Sequence, residues 1–175
     1  MKTLLLFFLL LIAANSFAQT DTTLKYTEII QVEGLSKQVL YQRARSWTND
    51  VFKSSKDVIQ IEDKENGEIA GKAVFAATIS WNALGKRTAE TTVNFKFQVI
   101  VKDGKYKYIL TDFIEDGYYD YLLTSAKENP YQTKGIGKKN LNMIWSSLKD
   151  FTEYKMITLI KSLKDTMQKK SEADF

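Results

Sequence analysis

Asp112, Glu115, Asp116 and Asp120 crowd four carboxylates into a short stretch beside Gly117. Carboxylates at close quarters can run glycoside hydrolysis as an acid and nucleophile or base, or hold calcium through oxygen ligands. Here the spacing misses the D-x-D-x-D-G loop, so the group reads as a solvated strand end and turn, and no catalytic residue is assigned. A carboxylate-based hydrolase acting on envelope or glycan substrates through Asp112, Glu115 or Asp116 is kept as an alternative. Cysteine and histidine are both absent. That excludes thiol nucleophiles, Ser-His-Asp and Cys-His relays, disulfides, and the usual zinc, haem and iron–sulfur ligand sets. No cofactor or metal is implied.

Three further groups carry possible chemistry. Tyr118, Tyr119, Tyr121 and Tyr131 place four of the nine tyrosines in one connection. Amphipathic rings suit ligand pockets and interfaces, and they equally suit packing a long loop, so these four are candidate ligand-binding residues. Gly135-Ile136-Gly137-Lys138-Lys139 superficially matches a phosphate loop. It has Gln132 where the motif needs glycine, Lys139 where it needs Ser or Thr, and no strand before it; it reads as a hinge opening a helix. Lys105-Tyr106-Lys107-Tyr108 interleaves basic and aromatic residues as nucleic-acid binders do, yet a strand with tyrosines inward and lysines outward explains it fully. No nucleic-acid partner is expected.

The elements that must position these residues follow from the hydrophobic pattern. Residues 24–33 read as a strand broken by Gly34. Ser36 is placed as an N-cap, with Leu35 stapling against Leu40, for a helix over 37–53 with Leu40, Ala44, Trp47 and Val51 on one face. Residues 58–62 form a short strand, Asn66-Gly67 a turn, and 69–81 a strand whose small residues (Ala70, Gly71, Ala73, Ala76, Ala77) suit close helix packing. From Val93 the alternation is strict. Asp103-Gly104 makes a two-residue hairpin pairing Lys102 with Lys105, Val101 with Tyr106, Val99 with Tyr108, Phe97 with Leu110 and Val93 with Ile114. This register puts Asp112 on the core face opposite Phe95, and Lys96, Gln98, Ile100, Lys107, Ile109 and Phe113 on the other. Residues 117–137 connect to a helix over 138–170 with a broad apolar stripe from Leu141 to Met167. The outcome is an α+β domain of order β-α-β-β-β-β-α, an antiparallel sheet backed by helices.

The chain has 175 residues and a formal charge of +4. Lys2, the uncharged run from Leu4 to Ala14, and small residues at Ser16 and Ala18 make a secretory signal peptide over residues 1–18, cleaved between Ala18 and Gln19. The run is too short for a membrane span, and no second one exists. The mature chain divides into an α+β domain over 19–137 with its tyrosine-rich loop at 117–137, a C-terminal amphipathic helix over 138–170 packing on it, and a tail at 171–175. Residues 19–137 balance 16 basic against 16 acidic side chains, so the excess positive charge sits on the C-terminal helix. Weak contact of that helix with an anionic surface is one expectation.

Tyr26-Thr-Glu-Ile-Ile-Gln-Val-Glu-Gly, Ser36 to Trp47, Ile69-Ala-Gly-Lys and Lys105-Tyr-Lys-Tyr-Ile-Leu-Thr-Asp-Phe together resemble a domain-of-unknown-function family with a TATA-binding-protein-like fold. The resemblance runs from Tyr26 to about Gly117. It implies a curved antiparallel sheet backed by helices in an exported protein of Gram-negative bacteria. It supplies no activity and no site residues, and its fold name does not imply DNA binding. The expectation is an exported, periplasmic or secreted, non-enzymatic binding module that meets a protein or small ligand of the cell envelope through its sheet face or tyrosine loop. A self-associating structural envelope protein is a further alternative.

Overall fold

The computed structural model describes residues 23–52 and 54–169; the expected signal segment, with the cleavage expected between Ala18 and Gln19, and the 171–175 tail lie outside them. The elements are β1 (Tyr26–Gln31), α1 (Lys37–Val51), the single turn α2 (Ser55–Val58), β2 (Ile59–Asp63), β3 (Glu68–Asn82), β4 (Lys86–Lys102), β5 (Lys105–Glu115) and α3 (Lys138–Gln168). They build one open five-stranded antiparallel sheet in the order β1-β5-β4-β3-β2. The α+β class and the strand-helix order expected from the sequence both hold.

Local chemistry sets the element ends. Ser36 caps α1, its Oγ accepting from Val39 N at 3.3 Å, and Asp103 of the β4–β5 turn accepts from Lys37 N at 2.7 Å. Both carboxylate and hydroxyl satisfy donors that the first helical turn leaves free. The helix stops at Val51 rather than 53. In the β2–β3 turn Gly67 has φ +71° and Asp63 accepts from Asn66 N at 2.9 Å. β4 begins at Lys86, seven residues before Val93, because the β3–β4 hairpin continues through polar residues to Asn82↔Lys86. Strict alternation is weakest there, since little of that end is buried.

Both long helices pack on one face of the sheet, α3 on β3 and α1 on β4 and β3. Val93, Phe95, Phe97, Val99, Val101, Tyr106, Tyr108 and Leu110 point into that layer and are buried. Ala73 and Ala77 are the small residues of β3 buried there. Gly71 is needed for another reason, since a Cβ on it would meet the Val58 carbonyl oxygen and Phe97 Cε1. Trp47 centres one aromatic group with Phe52 and Phe97, and its Nε1 donates to Ser162 Oγ of α3 at 2.9 Å, tying the two helices. The far edge of β3 is closed by α3: Ser147 Oγ accepts from Ser80 N and Asn140 Oδ1 from Asn82 N, each at 3.1 Å.

One irregularity rewrites the β4–β5 register. The pairing runs as expected from Lys102↔Lys105 to Phe97↔Leu110, then shifts between Asn94 and Lys96. Val93 therefore pairs with Glu115, not Ile114. The extra residue is Asp112, held at φ +56°, a conformation Asp tolerates better than most side chains and a bulge of the kind that re-aims a strand. Asp112 consequently leaves the core face and pairs with Lys96 at 2.7 Å. Phe113 moves inward, fully buried and stacked on Phe95 with ring centroids 5.7 Å apart. It does not belong to the open face, and Ile114 takes that place at 39% exposure.

Candidate functional site

The bulge decides what the carboxylates can do. Glu115 turns inward and is fully buried. It accepts from Thr91 Oγ1, from Tyr118 N at 3.0 Å and from Tyr119 N at 2.8 Å, so its oxygens are occupied in fastening the tyrosine loop. Asp112 lies on the opposite face with Lys96. Asp116 accepts from Asn94 Nδ2 at 2.8 Å, and Asp120 is exposed at φ +53°. The structure does not bring Asp112, Glu115 and Asp116 to one cleft. Among the described residues no group of three acidic side chains is placed to hold a metal ion.

The tyrosines form a ladder. Tyr119 stacks on Tyr121 at 4.9 Å, Tyr121 on Tyr131 at 4.6 Å, and both Tyr121 and Tyr131 meet the edge of Trp145 at 6.3 and 6.1 Å. Tyr121 is buried, its hydroxyl 2.6 Å from Thr133 Oγ1; Tyr131 donates to the Leu122 carbonyl at 2.9 Å. Trp145 Nε1 donates to the Ala126 carbonyl at 3.0 Å, so α3 anchors the loop from below. Burial, then the neighbouring Tyr121 and Glu115, push the Tyr119 hydroxyl above its ordinary pKa. Only Tyr118, at the top of the ladder, projects freely at 58% exposure. Three of the four candidate ligand-binding tyrosines thus bind the loop to the fold. Tyr131 also borders a cleft of about 450 Å³ against the start of α3, walled by Pro130, Ile136 and Leu141 and bridged by the Lys138–Glu128 ion pair at 2.7 Å. Before that helix, Gly135 takes φ +82° and Gly137 caps it without a side chain.

Among the described residues, the sheet face opposite the helices is uncovered by any helix. Strand parity and the observed registers place Ile29 of β1, Ile109 of β5, Ile100 of β4, Val74 of β3 and Ile61 of β2 on it, with Ile114 beyond the bulge. Val74 and Ile29 are 58% and 59% exposed. Lys72, Lys96, Lys102, Lys105 and Lys107 stand among them. A depression of about 590 Å³ lies over Lys72, Lys96, Asp112, Ile114 and Leu122. Sequence reading identified Lys96, Gln98, Ile100, Lys107 and Ile109 on this face and missed Ile29, Ile61 and Val74. The alternation of Val74 with Ala73 was the available signal.

An antiparallel sheet backed by helices is what the sequence resemblance implies, and direct comparison agrees. A family model described as a domain of unknown function, DUF4468, with TBP-like fold matches residues 26–115, just over half of the chain. The chain belongs to the DUF4468 family. The matched span runs from the start of β1 to the end of β5, so the tyrosine loop and α3 lie outside it. The chain is similar to the crystal structure of a DUF4468 family protein from Bacteroides ovatus, at 18% identity and a TM-score of 0.63 over 86% of this chain and 89% of that one. It is also similar to a TBP-like protein from Parabacteroides distasonis, at 13% identity and a TM-score of 0.52 over 82% of this chain and 94% of that one. At such identities the likeness concerns the fold. No curated protein matches the chain. Among the described residues no helix is long and apolar enough to cross a membrane.

Proposed function

We propose that this DUF4468 protein is an exported, non-catalytic binding module of the cell envelope that offers the open face of its sheet to a partner. The observation that carries the reading is the exposure of Ile29, Ile61, Val74 and Ile114 together on the one sheet face without a helix. With the half-buried Ile100 and Ile109 between the sheet edges, these side chains give one face an apolar character, interspersed with lysines, that suits a contact surface. The absence of cysteine and histidine and the use of Glu115 and three tyrosines within the fold support a role without catalysis. Lys2, the apolar run and Ser16-Phe17-Ala18 support export.

Site-specific photocrosslinking tests the surface. A photoreactive residue at Val74, in cells making the full chain, is expected to yield a discrete adduct, whereas one at Tyr154 on the outer side of α3 is not. Equal adducts from both positions, or none from Val74, overturn the reading. N-terminal sequencing of the protein recovered outside the cytoplasm is expected to begin at Gln19; an intact Met1 there removes the export component.

A further inference from the structure

The positive end of the open face has a more specific meaning. Two successive open-face rungs at the β4–β5 hairpin carry Ile29, Lys107, Ile100 and, at the far side, Glu68 on one, and Gln31, Lys105 and Lys102 on the next. Lys102 and Lys105 stand directly opposite each other, an arrangement of like charges that disfavours the sheet. None of the three lysines has an ion-pair or hydrogen-bond partner among the described residues. The nearby acids are engaged elsewhere or unpaired with them. Asp103 is turned to the N-terminus of α1, Glu68 accepts from Gln98 at 2.6 Å on the side away from the hairpin, and Glu33 beyond β1 is exposed and bridges to no lysine. Between the lysines lies a shallow depression of about 260 Å³ floored by Ile29 and Ile100.

The sequence places the excess charge on the C-terminal helix, but part of it is used locally. Lys138 pairs with Glu128, Lys161 with Asp165 and Lys164 with Glu28; Lys149 donates to the Ala126 carbonyl and Lys155 sits over Phe151. Among the described residues, Lys102, Lys105 and Lys107 form a cationic cluster at the hairpin that no ion pair neutralises.

We propose that this corner, Lys102, Lys105 and Lys107 around exposed Ile29, docks the protein on an anionic lipid surface. Charge complementarity selects the partner's sign, and an exposed isoleucine ringed by lysine stems fits the boundary between headgroups and acyl chains. A surface is favoured over a single small ligand because the depression is smaller and more open than sites that enclose ligands. The inference rests on the reading that the open face is the contact face, and narrows the partner at one end of it.

The test is co-sedimentation of the processed chain, its N-terminus verified, with phosphatidylcholine vesicles with and without about 30 mol % phosphatidylglycerol. Binding is expected only to the anionic vesicles, and is weakened at about 0.5 M salt. Each lysine removed near such a surface costs roughly fivefold in partitioning, so the triple variant K102Q/K105Q/K107Q is expected to lose on the order of a hundredfold. A control triple, K127Q/K134Q/K139Q, removes the same net charge from the other end and keeps most of the binding. Ile29→Ser weakens binding further with no change of charge. All these positions are on the surface, and circular dichroism confirms that each variant is folded. Absence of binding to anionic vesicles, equal binding to neutral ones, or equal loss in both triples overturns the proposal. A protein adduct from Val74 without vesicle binding overturns it too, while leaving the binding-module reading intact.

Discussion

Replacing Glu115 by leucine tests whether this carboxylate is a fastening for the tyrosine loop. Its three donors are Thr91 Oγ1 and the backbone N–H groups of Tyr118 and Tyr119. A donor stranded in a buried site costs about 1–3 kcal/mol. Tyr118 is exposed, so its N–H can turn to water, and leucine removes the desolvation cost of a buried carboxylate. The net expectation is a loss of about 2–4 kcal/mol, with Glu115→Gln losing less because its carbonyl oxygen still accepts. Gly117→Ala strikes the same joint sterically, since its Cβ would lie 2.6 Å from Thr91 Oγ1 and 3.3 Å from Glu115 Oε1. Urea unfolding measures the losses. A midpoint shift of about 1–2 M is expected for the leucine variant, with a changed near-ultraviolet signal from the Tyr119–Tyr121–Tyr131 stack. A leucine variant within about 0.5 kcal/mol of the parent would falsify the fastening role and reopen Glu115 as a functional group.

Three other perturbations have definite outcomes. Gly71→Ala should destabilise by about 3 kcal/mol, because the new methyl meets the Val58 carbonyl and Phe97 Cε1 at 2.9 Å; thermal melting measures it. At the bulge, Asp112→Gly should stay within about 1 kcal/mol of the parent, trading an exposed ion pair for an easier backbone, whereas Asp112→Val should lose about 2 kcal/mol. Equal urea midpoints for the two would argue against the bulge. At alkaline pH, burial and then the hydrogen bond to Glu28 push the Tyr108 hydroxyl up to about 12 from an ordinary 10.0. A raised folded-state pKa contributes stability that is complete below pH 10 and disappears as pH climbs toward 12. The urea midpoint should fall across that window, and Tyr108→Phe should flatten the fall.

What could be read from the sequence depended on how locally each feature is encoded. The Asp103-Gly104 turn fixes the register from Lys102↔Lys105 to Lys96↔Thr111 as expected, because the turn leaves one pairing. The stripe from Leu141 to Met167 gave α3 to within two residues, since helical periodicity accumulates over its length. The bulge was illegible. A single residue at φ +56° reverses the face of everything after it, and Asp112 announces nothing by its type. That one residue turns Phe113 inward and Asp112 outward against the alternation, and takes Glu115 from the exposed carboxylates into the core. The tyrosine cluster was visible as composition, but its stacking on Trp145 joins residues of the loop and α3 that only the folded chain brings together.

Net charge shows the same distinction between content and placement. Counting along the chain correctly finds a neutral body and a basic helix, yet a count cannot tell a lysine with a partner from one without. Lys164 is the clearest case: its ammonium lies 2.7 Å from Glu28, which also accepts from Tyr108 at 3.0 Å. These bonds hold the Glu28 carboxyl below the usual range and pin edge strand β1 to the helix. Lys107 belongs to the segment counted as neutral, but the register sets it two residues from Lys105 and across from Ile100; Glu68, on the far side of Ile100, is bonded to Gln98, and Asp103 to the N-terminus of α1. Electrostatic attraction to a distant surface requires charge that local partners have not already neutralised. By that criterion the hairpin corner, carrying no share of the excess in the linear count, is a place where this protein's positive charge can act on something outside itself.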